Sequence, residues 1–111
     1  MIVHVKPGVQ FTRIAPGSFR ILGALESLAR ALRLDVTITS ACDGVHSGPA
    51  DPHYRGQAYD VRSHDWVDAR TEYMVEALQR ELGDGFTVLL EAPGTPAAHL
   101  HIQVRKGTAY P

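Results

Sequence analysis

Residues 99–105 alternate strictly between polar and apolar side chains, and this pattern constrains the fold more than any other feature of the chain. Successive side chains of a β-strand point to opposite faces. One face of the strand is therefore polar, with His99, His101 and Gln103, while Leu100 and Ile102 share the other. The apolar face is expected to pack in a hydrophobic core, so the polar face should line solvent or a solvent-filled cleft. Two imidazoles two residues apart then lie side by side.

Two further segments have a helical period. Ile21, Leu25, Leu28 and Leu32 recur at i, i+4, i+7 and i+11, which predicts a helix over residues 18–33. A second apolar stripe follows Asp65, the expected N-cap, and Gly83 is the expected stop. This stripe consists of Ala69, Tyr73 and Ala77, with Met74, Leu78 and Leu82 alongside.

Short apolar and β-branched runs predict strands over residues 2–5, 36–40, 57–62, 86–90 and 99–105. Residues 41–56 are rich in Gly, Pro, Asp and Ser and are expected to be loop. The last two strands are joined by a short loop and should form an antiparallel hairpin. We therefore predict one α+β domain over residues 1–111, a small antiparallel sheet with two helices packed on one face.

The composition and net charge limit the classes of binding partner that we expect. The chain has 111 residues, 44% of them hydrophobic, and a formal net charge of -1. Neither a nucleic-acid partner nor a membrane partner is expected from this charge. We expect a monomer with no signal peptide and no membrane span, made in the cytoplasm. If the protein acts at a cell wall, we expect it to reach the wall after lysis or as part of a phage particle. A lone cysteine, Cys42, excludes an internal disulfide and a multi-cysteine metal site.

A second segment adds metal-ligating groups. His53 precedes a turn at Gly56, and Asp60 lies on the polar face of the predicted strand 57–62. If this strand neighbours the last one, Asp60 and His101 approach a common point, and His53 returns to it over the turn. Two imidazoles and a carboxylate are the ligand set of a zinc site that keeps one position open. We expect one Zn²⁺ per chain.

These residues carry a resemblance. The pattern His53-x-x-Gly56-x-Ala58-x-Asp60, followed by Glu91 and His99-x-His101, resembles the zinc D,D-peptidase and hedgehog-type fold. The likeness covers residues 36–106. It implies a metallopeptidase that acts on peptidoglycan stem or cross-link peptides. In such proteins the first His, the Asp and the last His bind zinc, which carries over to His53, Asp60 and His101.

The resemblance leaves the catalytic base open. It implies that His99 acts as base or transition-state stabiliser, and it offers Glu91 as the alternative general base. Peptidases of this group often carry a base three positions before the last ligand, where this chain has Ala98. His46 matches an additional histidine near the site in the hedgehog branch.

One departure from the family pattern concerns substrate binding. Carboxypeptidases of this group place an Arg shortly after a Ser at the end of the preceding strand, to pair with the substrate carboxylate. Here Ser40 is followed by Ala-Cys-Asp-Gly, so Arg55 or Arg62 would have to replace it. The gap leaves open an endopeptidase, or a non-catalytic zinc-binding module of a phage or cell-wall assembly. Calcium is the alternative cation, bound by loop residues such as Asp43, Asp51 and Asp65.

Overall fold

The computed structural model describes residues 2–42, 53 and 57–105. These residues form a five-stranded mixed sheet with two helices packed on it, so the α+β class is confirmed. In chain order the elements are β1 (Val3–Val5), α1 (Ser18–Leu32), β2 (Val36–Ser40), β3 (Ala58–Arg62), α2 (Asp68–Leu82), β4 (Phe86–Glu91) and β5 (His99–Val104).

The strands lie in the order β1-β2-β3-β5-β4. The pairs β2–β3, β3–β5 and β4–β5 are antiparallel, as predicted, and β4 and β5 form the expected hairpin. The exception is β1, which pairs with β2 in parallel. The reason is the connection, because α1 crosses between β1 and β2 and returns the chain to the same end of the sheet.

The helices pack on the apolar face of the sheet. Leu100 and Ile102 of β5 are fully buried there, and Val61 of β3 joins the same cluster. At the start of α1, Gly17 lies so close to β5 that a Cβ would sit 2.5 Å from Val104 Cγ2. The helix layer approaches β5 closely on this side, and the polar side chains of β3 and β5 lie on the opposite face.

The second helix differs from its predicted form at one end. It begins at Asp68, with Val67 at the N-cap position and no side-chain capping bond. Asp65 is therefore not the N-cap, because residues 63–66 first close a turn in which the Trp66 amide donates to the Ser63 carbonyl. Gly83 ends the helix as expected, with a φ of 86°.

The buried face of α2 is also rotated from the predicted stripe. Met74, Leu78 and Leu82 face the core, whereas Tyr73 is 48% exposed and Ala69 is also exposed. In the described part of the chain, neither helix is long and apolar enough to cross a bilayer.

Candidate metal centre

Three adjacent strands bring the predicted site residues together. In the register of the sheet, Asp60 of β3 lies opposite His101 of β5, and Glu91 of β4 lies opposite His99. Directly paired residues have their side chains on the same face and only a few ångströms apart. The seven-residue loop between Glu91 and His99 therefore does not separate their side chains, because these two residues form the last pair of the hairpin.

Asp60 is the centre of the cluster. Its Oδ1 atom lies 3.0 Å from Nδ1 of His101 and 3.2 Å from Nε2 of His53. Its other oxygen, Oδ2, lies 3.9 Å from Nε2 of His99. One carboxylate thus faces three imidazoles, and each of its oxygens faces a different part of the site.

His53 reaches the cluster from the segment before β3. Its side chain is 3% exposed, and its ring packs edge-on against the His101 ring with centroids 5.1 Å apart. Nδ1 of His53 donates to the Ala41 carbonyl oxygen, 2.8 Å away, at the end of β2. This bond fixes the ring with Nε2 towards Asp60.

His101 and His99 are oriented in the same way. The Nε2 atom of His101 lies 2.6 Å from Gln103 Oε1 and donates to it, which directs Nδ1 to Asp60. The Nδ1 atom of His99 donates to the Ala97 carbonyl oxygen at 2.8 Å, which directs Nε2 to Glu91 Oε1 at 2.9 Å. All three imidazoles therefore use one nitrogen on an uncharged acceptor and point the other at a carboxylate.

This arrangement is the one that metal-binding histidines use. A ligand imidazole donates its outer N–H to a carbonyl, carboxylate or water, so that the inner nitrogen keeps its lone pair for the metal. In the cluster three inner lone pairs would face two carboxylates, which is repulsive unless protons or a cation lie between them. A divalent cation would balance the two negative charges.

The electrostatics of the described residues agree with this reading. Burial raises the pKa of Asp60, but the hydrogen bonds from His101 and His53 outweigh it and hold that pKa well below its usual range. Burial lowers the pKa of His101, and the Asp60 carboxylate and Gln103 raise it above the ordinary value. Burial also lowers the pKa of His99, but the Ala97 carbonyl and Glu91 raise that pKa above its ordinary value. Without a metal, the carboxylates favour the protonated rings of His99 and His101.

Two overlapping groups of ligand atoms fit a metal ion. In His53, Asp60 and His101, the candidate atoms all lie within 4.8 Å of one another. His53 is buried, and Asp60 and His101 are partly buried. Asp60, Glu91 and His99 form the second group by the same measure and share Asp60 with the first. The first group is the predicted set of three protein ligands. The second group contains both predicted catalytic residues, Glu91 and His99, and places them beside the predicted ligands.

The other residues predicted for the site lie around the candidate metal centre or outside the described part of the chain. Ser40 ends β2 and pairs with the proposed ligand Asp60, on the side of β3 away from His101. Arg62 pairs with His99 in the register and lines a depression of about 220 Å³ together with Asp60, His99 and Lys6. Asp65 lies exposed on the turn before α2. His46, Arg55, Asp43 and Asp51 lie outside the described residues.

Gln103 is the functional candidate that was not predicted from the sequence, although it lies on the same strand face as the two histidines. The alternation of residues 99–105 was the available signal. The carbonyl groups of Ala41 and Ala97 left no sequence signal, because any residue supplies a carbonyl.

Comparisons of the chain with family models, with curated proteins and with solved structures found no match.

Proposed function

We propose that the chain is a zinc-dependent metallopeptidase that acts on peptidoglycan stem or cross-link peptides. The observation that carries the proposal is the ligand geometry around Asp60, since His53 and His101 each direct a ring nitrogen to within 3.2 Å of one carboxylate oxygen. The outer nitrogens of both rings are held by uncharged acceptors. The donor set, two imidazoles and one carboxylate, is typical of catalytic zinc sites.

The cluster would hold zinc through His53 Nε2, His101 Nδ1 and the Asp60 carboxylate. Zinc bound there would supply Lewis-acid activation of water and of the scissile carbonyl. Asp60 and the two imidazoles fix the ion, and Gln103 keeps the His101 ring in the orientation and tautomer that leave Nδ1 free to bind.

Proton transfer falls to the pair beside the ligands. Glu91 is 46% exposed at its side chain and can take a proton from water that enters the site. His99, in contact with Glu91, can donate a proton to the leaving amine or a hydrogen bond to the carbonyl oxygen as negative charge develops there. In this proposal the two predicted catalytic residues act as a pair rather than as alternatives.

The depression beside Glu91 and His99 favours a peptide substrate that has a negatively charged group near the scissile bond. Arg62 and Lys6 line it with Asp60 and His99. A guanidinium group pairs well with a carboxylate, so Arg62 is our proposed replacement for the arginine that the family pattern places after Ser40.

The experiment that tests the proposal is zinc analysis of the purified chain combined with hydrolysis of defined muropeptides. We expect about one zinc per chain, release of an amino acid or peptide fragment, loss of release with a chelator and recovery with added zinc. A chain that binds zinc stoichiometrically but releases no product from any muropeptide would exclude the peptidase.

A second candidate, a non-catalytic zinc-binding module, has one specific observation in its favour. Glu91 Oε1 lies 3.9 Å from His101 Nδ1, close enough for Glu91 to close the fourth position of the metal. Glu91→Gln separates the two functions. In the peptidase it retains zinc and loses activity, whereas in the module it weakens zinc binding directly.

A further inference from the structure

A second and larger cavity adjoins the depression beside the metal centre. Its volume is about 790 Å³, within the range of roughly 300–1,000 Å³ that is typical of ligand pockets. His64, Pro96 and Ala98 line both this cavity and the smaller depression beside Asp60 and His99. The two cavities are therefore neighbours, with the larger one lined from α2 and the end of β4.

The two cavities differ in charge. Among the described residues, the charged groups that line the larger one are the carboxylates Asp68 and Glu72, whereas Lys6 and Arg62 line the smaller one together with Asp60, and His64 lines both. Asp68 and Glu72 are four residues apart on α2, so both carboxylates lie on one helix face. Like charges at this spacing repel each other, and a bound cation would relieve that repulsion.

The rest of the cavity wall is suited to an aliphatic chain. Trp66 is half-buried, and Leu90 at the end of β4 is 39% exposed. Pro93 and Pro96 of the hairpin loop complete the apolar part. These groups pack well against methylene groups, and the tryptophan face also attracts a cation.

A buried hydroxyl group at the cavity wall is a further polar group. Ser63 is 3% exposed and lines the cavity, and its Oγ has no hydrogen-bond partner among the described residues. Buried hydroxyls are normally paired, and an unpaired one costs folding free energy. A staggered rotamer of Ser63 that turned Oγ towards the cavity would let a bound ligand pair with it.

We propose that the larger cavity binds the side chain of a basic substrate residue, an aliphatic stem that ends in a primary ammonium group. The stem packs on Trp66 and Leu90, and the ammonium group pairs with Asp68 and Glu72. The peptide nature of the substrate rests on the proposed function, whereas the charge preference rests on the cavity alone.

Trp66 makes the test direct, because it is the single tryptophan of the chain. The zinc-loaded full-length protein is titrated with Nα-acetyl-lysine methylamide and with Nα-acetyl-norleucine methylamide, which has a similar aliphatic stem but no ammonium group. Tryptophan fluorescence reports binding in both cases. We expect the lysine probe to bind about fivefold more tightly, the gain of one well-placed exposed ion pair.

Matched variants on α2 assign the preference to the cavity. Glu72→Lys should abolish it, while Glu76→Lys should leave it unchanged, because Glu76 is exposed on the same helix and does not line this cavity. Equal binding of the two probes to the unaltered protein, or a lysine preference that survives in Glu72→Lys, would overturn the proposal.

The result is also distinguishable from failure of the proposed function. A lysine preference in a protein that hydrolyses no muropeptide would support the binding site and reject the peptidase. Hydrolysis of muropeptides by a protein that binds both probes equally would support the peptidase and reject this binding site.

Discussion

Asp60 and His101 lie directly opposite each other on adjacent antiparallel strands, and Asp60 Oδ1 is 3.0 Å from His101 Nδ1. The pair forms because β3 and β5 are neighbours in the centre of the sheet, 41 residues apart in sequence. Backbone hydrogen bonds on both sides of each strand hold this register. The two side chains are therefore pre-positioned by the sheet. His99 joins them from the start of β5, and His53 from the segment before β3.

Gln103 should control zinc affinity without touching the metal. Gln103→Leu removes the acceptor that orients the His101 ring, and we expect zinc affinity to fall about 10- to 100-fold. Gln103→Glu keeps an acceptor at the same place and should preserve affinity. Competition with a chromophoric chelator measures both variants. Equal affinities for Leu and Glu at this position would show that Gln103 does not orient the ligand.

His99 should be needed for hydrolysis more than for metal binding. We expect His99→Ala to lower kcat for muropeptide hydrolysis by about 10²- to 10⁴-fold, the usual contribution of a proton-transfer group, with zinc still bound. His4→Ala is the matched control, since His4 is half-exposed on β1 and pairs with Asp35 away from the site. Loss of zinc from the His99 variant would instead make His99 a ligand.

Zinc should stabilise the folded chain by mass action. At a free zinc concentration 100 times the Kd, the gain is about 2.7 kcal/mol. For a chain of this size that corresponds to a rise in Tm of roughly 10 °C. Thermal melts with added zinc and with a chelator measure the difference. A Tm that does not respond to either treatment would indicate that the chain binds no metal.

The metal-free protein should lose stability as the pH rises above neutrality. His99 and His101 have raised pKa values in the folded state, so their contribution is complete below the unfolded value of about 6.5 and is lost as the pH rises through the folded values. The pKa of Asp60 is lowered, so its contribution is present above about pH 4 and is lost as the pH falls further. We expect the highest Tm between about pH 4.5 and 6.

Zinc should reverse this trend, because the metal displaces protons from the imidazoles and binds more tightly as the pH rises. The increase in Tm caused by zinc should therefore grow from pH 6 to pH 8. Melting curves at unit pH steps, with and without chelator, give both trends. A metal-free Tm that climbs from pH 6 to pH 8 would contradict the assigned pKa directions.

Two glycines in or next to α1 should respond to alanine in opposite directions. Gly17→Ala places a Cβ 2.5 Å from Val104 Cγ2, and we expect a loss of about 1–3 kcal/mol from overpacking. A Cβ at Gly23 meets no atom within 4 Å, and this residue lies inside the helix. Gly23→Ala should therefore stabilise by roughly 0.5–1 kcal/mol. Denaturant unfolding of both variants measures the pair.

Local patterns predicted the elements well where a periodic signal stood alone. The period-2 alternation of residues 99–105 predicted β5 and its polar face, and the stripe through Ile21 and Leu25 predicted α1 to within one residue. The rotation of α2 could not be predicted in this way. Both of its candidate stripes are apolar, and only packing against β4 and α1 buries Met74 and leaves Tyr73 exposed.

The sequence alone determined which side chains share a strand face, because the alternation of a β-strand is a local property of the backbone. It therefore determined that His99 and His101 lie together and that Asp60 lies on the polar side of its own strand. The short loop also predicted the pairing of β4 with β5. Only the tertiary structure decided that β3 flanks β5 on its other side, which brings Asp60 to the two histidines, and set the register that places Glu91 opposite His99. Strand order and register depend on burial of the opposite apolar face against the helices, and that is a property of the whole fold.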